Sequence, residues 1–155
     1  MDSYQILKTL HILSATILFG TGLGTAFFMF RTYATHNIHE KYYAARNTVL
    51  ADYLFTFPAV VLQPLTGIWL LSKSGHDWAS SWLILSYALY AIAGLCWLPV
   101  VWLQIQLKNM LATSVQQDTP LPDTYHTYFK LWFLLGCPAF ISLLIIFFLM
   151  VIKPT

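Results

Sequence analysis

The sequence predicts an all-α integral membrane protein, an up-down antiparallel bundle of four helices. Three observations carry that expectation. Hydrophobic residues make up 58% of the 155-residue chain and charged residues only 9%, against about 25% charged in a typical soluble domain. Four segments are apolar for long enough to cross a bilayer, which takes roughly 20 residues. The connections between them are short, which favours antiparallel neighbours in one unit and leaves no length for a second domain. Residues 1–155 are therefore read as a single domain.

The first span is expected at about residues 4–30, the second at 51–71, the third at 82–106 and the fourth at 129–152. The first is too long for a signal peptide and no small-residue cleavage site follows it, so it reads as a retained helix. A polar stretch, Arg31–Leu50, separates the first two spans. A turn with Ser74, Gly75, His76 and Asp77 follows the second, and a loop with Pro120 and Pro122 follows the third. Aromatic residues reach 17%, consistent with Trp and Tyr at membrane interfaces. The net charge of +2 gives no basis for nucleic-acid binding.

Orientation is read from lysine and arginine. Arg31, Lys41, Arg46, Lys108 and Lys130 lie on one side, and Lys8, Lys73 and Lys153 on the other. The excess places both termini outside, which in a bacterial inner membrane is the periplasm.

Polar side chains inside a span are costly in hydrocarbon and mark packing or function. His11 is the one histidine well inside a span, and at about 100° per residue it shares a face with Ala15, Leu18, Gly22, Thr25 and Met29. Ala15 and Gly22 leave room there for another helix or for a flat ligand such as a porphyrin. A neutral imidazole is a good axial ligand for haem iron, and the alternative is a histidine hydrogen-bonded within the protein. His76, in the outer turn, is the preferred second metal ligand. Met150 approaches the same side, Lys8 lies too close to His11 on one helix to bind the opposite face of a haem, and a five-coordinate iron is a further option.

The second span carries the polar stripe Asp52, Thr56, Ala59, Gln63 and Thr66 with Gly67. The third carries Ser86, Tyr90, Ala93, Trp97 and Gln104. Gln63 and Gln104 read either as hydrogen-bonding partners of a propionate or quinone or as interhelical contacts. Trp97 belongs to the same candidate cofactor surface. Pro58, Pro64, Pro99 and Pro138 fall within spans, where each frees a carbonyl that must find another partner. The pair Gly20 and Gly24, on the face opposite His11, suits close approach of a second copy. Cys96 and Cys137 read as structural thiols. His36, His39 and Glu40 in the polar stretch read as a solvated cluster or as a divalent-metal site. Phosphate-binding and hydrolase signatures are missing from the sequence, which argues against ATP-driven transport and ordinary hydrolysis.

Five blocks together resemble one bacterial membrane family. They are Leu7–Leu13, Phe19–Phe28, Leu62–Gly67, Cys96–Gln104 and Leu131–Phe140. The family is known as domain of unknown function 2269, and the likeness implies a fold without an activity. More distantly, Lys8-x-x-His11, the following glycines and Arg31 resemble the opening of HemJ-type protoporphyrinogen oxidases. That likeness implies haem b with His11 as axial ligand. The third span here has no internal lysine, unlike that family. The expectations are thus a haem b-binding membrane redox protein, with quinone as a possible electron partner and porphyrin as a possible substrate. Alternatives are a non-catalytic subunit or assembly factor, and a small metal or solute permease using Asp52, Gln63 and Gln104.

Overall fold

The computed structural model describes residues 2–75 and 77–154. Its elements are α1 (Ser3–Tyr33), α2 (Ile38–Ala51), a π-helical turn (Asp52–Thr56), α3 (Phe57–Ser74), α4 (Ser81–Gln117) and α5 (Thr124–Ile152). The segments α2, π turn and α3 run on as one helix, Ile38–Ser74, so four helices are long and apolar enough to cross a membrane. The large apolar side chains they leave exposed, such as Phe27, Phe28, Leu95 and Leu98, present the outward surface that a bilayer requires.

The spans were expected to be shorter than they are. The second helix begins at Ile38 rather than near residue 51, the third continues to Gln117, and the fourth begins at Thr124. Hydropathy measures only the lipid-crossing length. With about 1.5 Å rise per residue, helices of 37 residues outrun a hydrocarbon layer about 30 Å thick. Packing extends them past it. In the polar stretch, Ala44, Ala45, Thr48 and Val49 form a buried face, and Leu103, Leu107 and Leu111 recur every fourth residue on α4 to join the same core as Ala44 and Ala45.

Local signals fix the ends. Asn37 caps α2 by accepting from the His39 amide, and Gly75 ends α3 with φ of 69°, a conformation that glycine adopts without a Cβ penalty. At the end of α1, Lys41 Nζ donates to the Tyr33 carbonyl at 2.9 Å and lies over the Tyr33 and Tyr125 rings.

The helices associate as two pairs, α1 with α3 and α4 with α5, and α2 joins them by packing on both α1 and α4. Two cores result. One lies around α2, with Met29, Leu107, Leu111, Tyr125 and Phe129. The other closes the opposite end, with Leu71, Trp82 and Leu83 against Leu149 and Met150. Between the cores α1 and α5 touch only sparsely, through the stacked pair Phe19–Phe140 and the edge contact Phe19–Phe147. The molecule is open inside at that level.

Candidate functional site

The opening is a cavity of about 280 Å³ whose walls come from all four spans. Its sides are apolar or small, including Leu18, Gly22, Val60, Ala93, Gly136 and Phe140. An added Cβ at Gly22 or Gly136 would meet nothing within 4 Å, so these glycines hold space open.

One end of the cavity is polar. Asp52, Thr56, Gln104 and Trp132 all line it. Trp132 belongs to the core around α2 together with Val100 and Leu103. Asp52 follows Val49 by one turn on the helix that packs there, so the polar residues share that end. Asp52, Gln104 and Trp132 are 6%, 5% and 5% exposed, yet Asp52 Oδ2, Gln104 Oε1 and Trp132 Nε1 each have no hydrogen-bond partner. An unsatisfied buried polar group costs about 1–3 kcal/mol, and these three atoms are closed off within the packing of the cavity wall.

The π turn is the local device that presents Asp52. The Phe57 amide donates to the Asp52 carbonyl five residues back, which widens the helix there. Such turns recur at functional sites. Thr56 Oγ1 donates to Asp52 Oδ1 at 2.7 Å, which fixes the carboxyl. The Gln104 side chain is its second hydrogen-bonding neighbour, at a looser geometry than Thr56.

The sequence-derived site residues divide into two groups. Gly22, Trp97 and Gln104 line the cavity. His11 and Gln63 belong to a polar seam between α1 and α3: His11 Nδ1 lies 2.8 Å from Thr66 Oγ1, while Gln63 Nε2 donates to the His11 carbonyl at 2.9 Å and to Ser14 Oγ at 2.8 Å. Ala15 is half-buried on α1 and does not line the cavity. His76 lies outside the described residues. The Gly20 and Gly24 face meets no other part of the chain within 4 Å of an added Cβ. Among the described residues no three metal-ligating side chains gather, and Cys96 and Cys137 are free, half-buried thiols.

Trp132 is the residue that sequence reasoning missed, because a tryptophan in an aromatic-rich run gives no sign of an unsatisfied N–H. The π turn had one available signal. Pro58 removes the amide that would bond the Leu54 carbonyl, and the helix is irregular there.

The cavity does not include the iron ligand that the sequence suggested, because His11 lies outside its lining. Its wall along α5 runs from Trp132 to Leu143, roughly 16 Å at the helical rise. Among the described lining residues there is no histidine, methionine or lysine, and the side chains of a type that binds haem iron are Cys137 and Tyr90.

These features define the class: an integral membrane helical bundle with an internal, largely apolar cavity. The chain belongs to the family described as predicted integral membrane protein, domain of unknown function 2269, whose model matches residues 5–154. No curated protein and no solved structure matches it.

Proposed function

We propose that this protein binds a lipid-soluble molecule inside its bundle, with the molecule's polar end toward Asp52, Gln104 and Trp132. The observation that supports this is a largely apolar cavity walled by all four spans whose lining includes the buried polar residues Asp52, Gln104 and Trp132. A polar head group is less costly to bury beside such residues than against the apolar walls. The site lies toward the loops rich in lysine and arginine, so the positive-inside rule puts it on the cytoplasmic side of a bacterial inner membrane, with both termini periplasmic. A reporter fused after Lys153 and active only in the periplasm is the expected result for that orientation. Quinone falls within the ligand class, as a small oxygen-bearing head on an isoprenoid chain, and electron exchange with it is the redox form of the proposal.

Lipid extraction and mass spectrometry of protein held in nanodiscs test the binding reading. Wild type should retain about one lipid-soluble molecule per bundle. Gly136→Leu, which fills the open space at that glycine, should retain far less. Equal retention by the two would remove the proposal.

Haem b is a second reading, supported by His11 alone. An imidazole anchored through Nδ1 to Thr66 Oγ1 resembles the way metal-binding histidines are oriented by a second hydrogen bond. An oxidised and reduced absorption spectrum of wild type beside His11→Ala decides it. A Soret band lost in the variant supports haem, and the absence of a band from haem-supplemented wild type excludes it.

A further inference from the structure

We infer that the cavity takes its ligand directly from the bilayer, through a lateral window between α1 and α5 framed by two aromatic pairs. The inference rests on the binding reading above and adds the source of the ligand, a molecule already dissolved in membrane hydrocarbon.

Both ends of the bundle are shut. The core around α2, with Met29, Leu107, Leu111, Tyr125 and Phe129, closes one end. Leu71, Trp82 and Leu83 against Leu149 and Met150 close the other. The sides differ from one another. α1 packs along α3, and α4 along α5. The seam between α3 and α4 is bridged at cavity level by the Tyr90 hydroxyl, which donates to the Val60 carbonyl at 2.6 Å, and both residues line the cavity. The seam between α1 and α5, which touch only sparsely, is the side left open.

Aromatic pairs frame that seam. Phe19 and Phe140 stack with ring centres 4.9 Å apart on one side, and Phe30 and Phe133 lie 5.7 Å apart on the other. Along α1 the two pairs stand about 16 Å from each other at the helical rise. Between them are Gly22 on α1 and Gly136 on α5, both lining the cavity, and an added Cβ at either meets nothing within 4 Å. Small residues in membrane helices usually let two backbones close on each other. Here they leave a gap. Among the described lining residues, Leu23 and Phe133 alone are exposed, at 50% and 47%. A side chain that lines the cavity and also meets the outside marks its mouth, and these two stand on opposite sides of the same seam. Residues 18–26 and 132–143, which form its two edges, include no charged side chain, so an apolar molecule crosses without leaving apolar surroundings.

The test uses the full chain in nanodiscs and a phosphatidylcholine carrying a diazirine near the end of one acyl chain. Its head group holds it in the leaflet, so the chain reaches the cavity only from the side. A diazirine-bearing hexadecane, free of any head group, is the comparison. Cross-links are read along α4, where Ala93, Trp97 and Val100 line the cavity and Leu95 and Leu98 are exposed outside it. The tethered chain should label both sets in wild type. Phe133→Ala removes a framing ring and should raise labelling of the cavity set about 2–10-fold, the ratio for one aromatic pair that entry no longer has to part. Leu23→Trp narrows the mouth and should lower that labelling by a similar factor. Labelling of Leu95 and Leu98 should stay constant in both variants. Cavity labelling by the free probe but not by the tethered chain overturns the window while the binding reading stands. Tethered labelling of the cavity that neither variant alters puts the entrance in another seam, which also overturns it. No cavity labelling by either probe overturns both. The wild-type comparison of the two residue sets holds even if a variant fails to fold.

Discussion

The Tyr90 hydroxyl donates to the Val60 carbonyl at 2.6 Å, and Val60 is the residue whose helical partner amide Pro64 removes. The proline's cost in α3 is therefore met from another helix. In a bilayer no water can take that role, so this hydrogen bond ties the α1–α3 pair to the α4–α5 pair across the cavity.

Tyr90→Phe should lower stability by about 1–2 kcal/mol, the cost of leaving that carbonyl unmet. Pro64→Ala restores an amide at position 64 and should make the loss of the tyrosine hydroxyl nearly neutral. Denaturation of the two single variants and the double variant in detergent measures this. Strictly additive effects would show that Pro64 and Tyr90 are independent.

The four spans are legible in the sequence because lipid contact demands apolar surface over a fixed length. The ends are less legible. Ala44, Ala45 and Val49 are sparse among polar neighbours, and only the facing Leu103, Leu107 and Leu111 show that they are core. The stripe from Asp52 to Gly67 is visible, but its division is not. Asp52 and Thr56 line the cavity, whereas Gln63, Thr66 and Gly67 meet α1. That division depends on the π turn and on how the helices align, neither of which residue spacing specifies.

Gly67 gives the His11 ring its place. A Cβ there would lie 3.3 Å from His11 Cε1, so Gly67→Ala should push the imidazole outward by a few tenths of an ångström and lengthen its contact with Thr66. Stability should change little, because alanine gains roughly 1 kcal/mol of helix propensity over glycine. The expected change is in the ¹⁵N resonances of the His11 imidazole. Unaltered resonances would mean that the glycine does not set the ring's position.

Gln63 is the main polar link between α1 and α3. Gln63→Leu keeps the bulk and removes the bonds to the His11 carbonyl and Ser14 Oγ. Polar contacts between membrane helices average about 0.6 kcal/mol each, so the loss should be about 1 kcal/mol. Ser14→Ala should add less in the Gln63→Leu background than in wild type, because its interhelical partner is already gone. Full additivity in a double-mutant cycle would contradict this account.

Lys41 closes the water-facing end of the bundle. Its side chain is 9% exposed, donates to the Tyr33 carbonyl and lies 5.3 and 5.6 Å from the Tyr33 and Tyr125 ring centres. Lys41→Met keeps the apolar stem and removes the charge. The carbonyl at the end of α1 then loses its donor, and each ring loses a contact worth about 0.5–2 kcal/mol. Backbone amides at residues 31–35 should exchange hydrogen faster by an order of magnitude or more, since about 1.4 kcal/mol corresponds to tenfold. Retention of ligand in the cavity should stay close to wild type, because Lys41 does not line it. Faster exchange along the whole of α1, accompanied by loss of the ligand, would show instead that the lysine holds the entire helix in place.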